Sequence, residues 1–410
     1  MSGTGTDGMI DGKNQNNRRS LEMYHGIGWT AWAVSISLAL AILTGCEDRM
    51  EASIERDQRI KERARLALLK ESGQTVPPGS GDGRLGSFFT NSLHHTGEGM
   101  RYWYEEAGGF MNITGIPYAD LDCGTCHVQS CDRCHAEEKD GAKILSRDKV
   151  RDMETCLPCH SREGLTFKFD ESAGTADVHI AAGMVCADCH SGKDVHGDGR
   201  FRTSMRSPDA INVGCESCHT ESGGAAPAFD PLTESHSVHG DLLTCQACHV
   251  SNTTACMNCH FDAFLETGER KGNFIPMKDW VMLINHEGRV TSGSAMSLVH
   301  EGRKFLAYVP YYTHSVMPEG RPCADCHANA AVNRMIAGKQ VPVLRYENGR
   351  VIPWKGVVPV IPDRLDFVFL DKDGRNWRPL PPDGEVTVQF AAFGEPLSPA
   401  QMESLAQAME

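Results

Sequence analysis

Residues 245–260 read Cys245-Gln246-Ala247-Cys248-His249-Val250-Ser251-Asn252-Thr253-Thr254-Ala255-Cys256-Met257-Asn258-Cys259-His260, two copies of Cys-x-x-Cys-His separated by six residues. Working outward, the same unit occurs eight times in all. Toward the N-terminus it recurs as Cys123/Cys126/His127, Cys131/Cys134/His135, Cys156/Cys159/His160, Cys186/Cys189/His190 and Cys215/Cys218/His219. Toward the C-terminus it appears once more, as Cys323/Cys326/His327. Zinc knuckles and disulfide frameworks also use Cys-x-x-Cys pairs, but neither requires a histidine directly after each pair. With 18 histidines in 410 residues, eight such coincidences have a probability on the order of 10⁻¹¹, whereas covalent haem attachment demands them.

In that chemistry the two thiols, one helical turn apart, form thioethers with the vinyl groups of one haem, and the histidine lies under the iron as proximal ligand. The sequence therefore implies eight covalently attached haem c groups. The proximal ligands are His127, His135, His160, His190, His219, His249, His260 and His327. Sixteen of the 17 cysteines are consumed. Without them the apolar fraction falls to roughly 36%, low for a chain of this length with a core made only of side chains. The expected fold is mainly irregular and α: short helices and loops packed on porphyrin. A net charge of -14 excludes an electrostatic grip on nucleic acid as the main function.

Residues 1–45 read as a leader. Ile27 to Gly45 carries no charged residue and ends in Leu43-Thr44-Gly45-Cys46, the form of a bacterial lipobox with Cys46 as the lipidated residue. The leader is long, so a start at Met9 or Met23, an uncleaved membrane helix or an unmodified Cys46 are the alternatives. Residues 46–92 form a charged tether, and 93–335 the haem domain. A small antiparallel sheet is expected as an insertion at about 274–313, where apolar residues alternate. Residues 336–410 should fold as hairpins, with an Asn348-Gly349 turn and a second turn at Asp371-Lys372-Asp373-Gly374. A short helix then follows the capping box Ser398-Pro399-Ala400-Gln401.

Each iron has a sixth position whose occupant decides between electron transfer and substrate binding. Nine histidines remain outside the repeats and the leader. His94, His95, His179, His196, His236, His239 and His314 stand near repeats and are expected to be distal ligands. His286 and His300 both occur in His-Glu-Gly-Arg, a turn string, and are expected mainly to face solvent. In that case one haem is open, or closed by another group such as Met100, Met184, Met257 or Met317.

Over about residues 93–335 the repeats resemble those of the bacterial multihaem c-type cytochromes, in particular the octahaem group. With the lipobox, the chain also resembles lipoprotein cytochromes of envelope electron conduits, including those grouped with selenite or tellurite reduction. More distantly, Cys215-Glu216-Ser217-Cys218-His219 and Cys245-Gln246-Ala247-Cys248-His249 are similar to the octahaem tetrathionate reductase group. The resemblance implies a cell-envelope protein that exchanges electrons with redox partners, either other cytochromes or a membrane or porin complex. Lipidated Cys46 would hold it to the membrane, facing the periplasm or the outer surface. Haems near the surface would also allow an oligomer or a filament. The alternative is a reductase of an oxyanion or a nitrogen oxide at one open haem, for which the sequence assigns no catalytic residue. The Cys-x-x-Cys-Lys site of octahaem nitrite reductases is absent. Replacing the lipobox cysteine, Cys46→Ser, should move the protein from the membrane to the soluble envelope fraction; retention on the membrane would favour the uncleaved helix.

Overall fold

Helical turns carry most of the repeats. In the computed structural model the helices Asp132–His135, Cys186–Cys189, Cys245–His249 and Cys323–Cys326, and the 3₁₀ turn Cys215–Ser217, each begin at or next to a first cysteine. They stay short because the chain turns extended at once after the motif: His190 and His327 have ψ of 107° and 133°. The longest element here, Ser161–Ala173, follows the third repeat and stops at Gly174, whose φ of 71° is a conformation that favours glycine. The structure describes residues 87–121, 127–222, 226–268, 273–374 and 376–408, all in one compact unit starting at Pro77. The leader, Cys46, most of the tether, Cys123 and Cys126 lie outside the described residues. Among the described residues no helix is long and apolar enough to cross a membrane.

Beyond residue 252 the architecture changes to β. Strands Ile275–His286, Arg289–His300 and Arg303–Pro310 form an antiparallel meander. Its two turns are the residues Glu287-Gly288 and Glu301-Gly302, with φ of 53° and 84°, and 48° and 73°. Positive φ at both positions gives the turn whose twist matches that of paired strands. The repeated His-Glu-Gly-Arg string is therefore a hairpin sequence, with His286 opposite Arg289 and His300 opposite Arg303.

The insertion and the C-terminal region expected as separate pieces make one mixed sheet of eight strands. Gly356–Pro359 lies parallel to Ile275–His286, and Val386–Phe390 lies parallel to Arg303–Pro310. Gly394–Glu395 pairs at the His286 end. Thr253–Met257 and Cys259–His260 add to the same sheet from the seventh repeat. Both faces are covered, which is why Trp280 to Leu283 are buried in succession instead of alternating. Trp280, Met282 and Ile284 pack with Tyr308 and Val358 on one face; Val281 and Leu283 pack with Val332 and Leu397 on the other. This half of the protein thus has a core of side chains, which the low apolar fraction did not suggest.

The Asn348-Gly349 turn forms where the sequence places it; the second turn falls after Asp373, because Asp371 to Asp373 belong to a strand. Val341–Glu347 pairs with Arg350–Pro353 around Asn348-Gly349, and Leu370–Asp373 pairs with Asn376–Pro379. Helix Pro399–Ala406 has its capping box: Ser398 Oγ accepts from the Gln401 amide and Gln401 Oε1 accepts from the Ser398 amide. Trp280 is fully buried at the centre of the larger core. Trp280→Ala should cost about 3–5 kcal/mol in chemical denaturation, the usual range for a large-to-small change at a fully buried aromatic.

Candidate functional site

A helical turn in six of the motifs brings the histidine back toward its own cysteines. The backbone N–H of His135, His160, His190, His219 and His327 donates to the carbonyl of the first cysteine of its repeat, at 2.8–3.0 Å. Cys245–His249 is helical throughout. The repeat cysteines from Cys131 to Cys248, and Cys323 and Cys326, are in no disulfide, so the pairs are not a disulfide framework.

Six of these motif histidines each face one of the histidines expected as distal ligands. Ring centres are 6.1 Å apart for His160 and His94, 6.0 Å for His135 and His196, and 6.1 Å for His190 and His314. They are 6.2 Å apart for His219 and His179, 6.3 Å for His249 and His236, and 6.2 Å for His327 and His239. Two metal–imidazole bonds of about 2 Å, plus about 1 Å from each Nε2 to its ring centre, span roughly 6 Å. A direct Nε2-to-Nε2 hydrogen bond of about 3 Å would draw the centres to about 5 Å. The six gaps fit an iron between two imidazoles.

The other ring nitrogen is hydrogen-bonded to an oxygen in six of these twelve histidines. Nδ1 lies 3.0 Å from the Ser146 carbonyl in His135, 3.0 Å from Pro227 O in His219 and 3.0 Å from Ser404 O in His327. On the distal side His236 and His239 use Asp230 O and Ser235 O, each at 2.7 Å, and His314 uses Glu163 Oε2 at 3.1 Å. Facing an oxygen acceptor, Nδ1 carries the proton and Nε2 keeps its lone pair for a metal; such contacts also fix the ring orientation. Burial holds His94, His190, His196 and His249 below the ordinary histidine value, which favours the neutral, ligating form. At His314 burial acts the same way, but the Glu163 carboxylate outweighs it and raises the value. Glu163 also accepts from Tyr311 Oη at 2.6 Å. The sequence reading missed Glu163 and Tyr311, which lie far apart in the chain.

Cysteines of successive repeats come near one another. The thiols of Cys156 and Cys186 are hydrogen-bonded, as are those of Cys215 and Cys245. Cys134 lies within electrostatic reach of Cys159, Cys189 of Cys218, and Cys248 of Cys323. With haem attached, these sulfurs would be thioethers. The approaches link the second, third, fourth, fifth, sixth and eighth repeats in turn.

The first and seventh repeats differ. His127 stacks on Tyr118 at 6.0 Å, with Nε2 3.3 Å from Tyr118 Oη and close against Gly97, where a Cβ would collide with it. His95 is within electrostatic reach of His127 and bonds Val128 O through Nδ1 at 3.0 Å. In the seventh repeat the backbone is extended, and among the described residues no histidine ring faces His260: its Nε2 is 3.0 Å from Asp371 Oδ1, and its Nδ1 accepts from the Ala263 amide at 3.2 Å. His286 is partly buried, while His300 is only 5% exposed and bonded to Asp262. The expectation that His300 faces solvent is thus corrected. Asp262 lies 38 residues away in the chain, and the contact has no local signal.

Residues 178–261 match the family model described as cytochrome c3. The match contains the fourth to seventh repeats and supports a multihaem c-type cytochrome with covalently bound haem and a role in electron transfer. No curated protein and no solved structure matches the chain.

The loop after His196 is tied down by Asp198, whose oxygens accept from Arg202 Nη1 at 2.8 Å and Nη2 at 3.1 Å. These bonds hold the Asp198 carboxyl well below the usual carboxylate range. A depressed value stabilises the fold fully above the unfolded carboxyl value of about 3.9, and the contribution is lost as pH falls below it. Asp198→Asn should therefore lower the urea midpoint at pH 7, with the difference from the native protein shrinking as the pH is lowered below about 4.

Proposed function

We propose that this chain is an electron-transfer protein of the cell envelope, lipid-anchored through Cys46. It passes electrons through a chain of covalent c-type haems between membrane or periplasmic donors and an external or envelope acceptor. The observation that carries this reading is the set of six facing histidine pairs with ring centres 6.0–6.3 Å apart. Bound haem supplies a one-electron couple at each site. With haem bound, an imidazole from each histidine of a pair would ligate the iron, so these sites would offer no position to a substrate. The Nδ1 contacts to carbonyl and carboxylate oxygens make the imidazoles more basic ligands.

The contiguity of the attachment points supports conduction. Cysteines of successive repeats lie within electrostatic reach of one another from the second repeat to the sixth and on to the eighth. Short helices reinforce this by presenting two ligands to two sites: His94 and His95 on Leu93–Thr96, His236 and His239 on Glu234–His239. A reductase of selenite, tellurite, tetrathionate or a nitrogen oxide would need an open iron, and no histidine pair described here leaves one.

Electron paramagnetic resonance of the fully oxidised protein, quantified per chain, tests the reading. All haem iron is expected to be low-spin, and His236→Ala should convert one haem per chain to a high-spin signal while His300→Ala converts none. About one high-spin haem per chain in the unmodified protein would overturn the proposal in favour of the reductase.

A further inference from the structure

We infer that the seventh repeat, Cys256-Met257-Asn258-Cys259-His260, carries no haem and is a structural seam of the β-sheet. The inference rests on the haem-chain reading above, which supplies the geometry against which this repeat is compared. It revises the expectation of eight haems drawn from the motif count.

Three independent features separate this repeat from the six that face a distal histidine. The first is its backbone. Cys256 belongs to strand Thr253–Met257, paired with Pro276, and Cys259-His260 forms a strand pair with Leu298 and Val299. The His260 amide donates to Asn273 O at 2.7 Å, and not to the Cys256 carbonyl. Between the strands Asn258 has a φ of 53°, a conformation that asparagine tolerates. It is fully buried and anchored three ways: its amide to Ser297 Oγ, its Nδ2 to Val368 O, and its Oδ1 from the Leu370 amide, at 2.8–3.3 Å. Rewinding this segment into a helical turn would break all three contacts.

The second feature is direction. Successive side chains of a strand point to opposite faces. Cys259 packs against the cluster of Phe110, Phe261 and Leu298, while His260 reaches Asp371 at the start of the Leu370–Asp373 strand's hairpin. A porphyrin bound to the Cys259 sulfur would have its iron on the face that His260 leaves.

The third is the ring itself. Where His135, His219 and His327 direct Nδ1 to a carbonyl oxygen, His260 Nδ1 accepts from a backbone N–H and caps helix Phe261–Thr267. The proton must then sit on Nε2, which donates to Asp371. That nitrogen has no lone pair for iron, and 3.0 Å to the carboxylate leaves no room for one. His260 serves as helix cap and tie to the C-terminal hairpin.

The test is peptide mapping of the full-length holoprotein, made in cells that mature c-type cytochromes, after denaturation, reduction and thiol alkylation. Trypsin leaves residues 207–270 as one peptide, because no Lys or Arg lies between Arg206 and Arg270; it contains the fifth, sixth and seventh repeats. The expected peptide carries two haems and two alkylated thiols, the latter assigned by fragmentation to Cys256 and Cys259. Cys256→Ser with Cys259→Ser should leave the haem content per chain unchanged. Three haems on the peptide, or the loss of one haem per chain in the double variant, would overturn the inference and leave the electron-transfer reading intact. A peptide without haem would overturn that reading, and the inference with it.

Discussion

The gap between facing imidazoles sets the geometry of the haem-bearing half of this protein. Holding two histidine rings about 6 Å apart keeps them short of van der Waals contact with each other. A fold keeps such gaps only when each ring is fixed from behind. For six of the twelve rings that is done by oxygen acceptors at Nδ1: the carbonyls of Ser146, Asp230, Ser235, Pro227 and Ser404, and the carboxylate of Glu163. Each contact orients a ring without occupying the nitrogen that would meet the metal. The scarcity of regular structure follows, since the chain between repeats is spent on bringing histidines and their acceptors to the right place.

The C-terminal half follows a different rule. There the strands Ile275–His286, Arg289–His300 and Arg303–Pro310 gather partners from distant parts of the chain, and side chains fill the space between the layers. The halves meet covalently at the sixth and seventh repeats. Val250, immediately after the sixth, is fully buried against Val281 and Leu283, and the strand Thr253–Met257 begins three residues later. The chain therefore passes from a haem motif into the sheet within a few residues. Its next Cys-x-x-Cys-His unit falls where β pairing already governs the backbone.

Much of the site was legible because haem chemistry constrains local sequence. Two thiols and a histidine on one turn is a local requirement, and distal histidines stand out as the residue left over once the motifs are counted. The two Glu-Gly turns, the Asn348-Gly349 hairpin and the Ser398 cap were legible for the same reason, as each depends on two to four adjacent residues. The parallel pairings of Gly356–Pro359 and Val386–Phe390 were not, because parallel neighbours are far apart in sequence. Nor was the burial of His300, which depends on Asp262 from another element.

The seventh repeat shows where motif reading stops. Its five residues meet the same local test as the others, and what differs is context: Thr253 and Thr254 ahead of it favour an extended chain, and Asn258 accepts the positive φ that joins the two strands. A motif states which bonds the side chains can form, while the backbone decides whether they can form them together. In an extended chain Cys259 and His260 diverge, and no movement of side chains alone can return both to one porphyrin. The sheet would have to open between Ser297 and Leu370 first, and the three anchors of Asn258 oppose that opening.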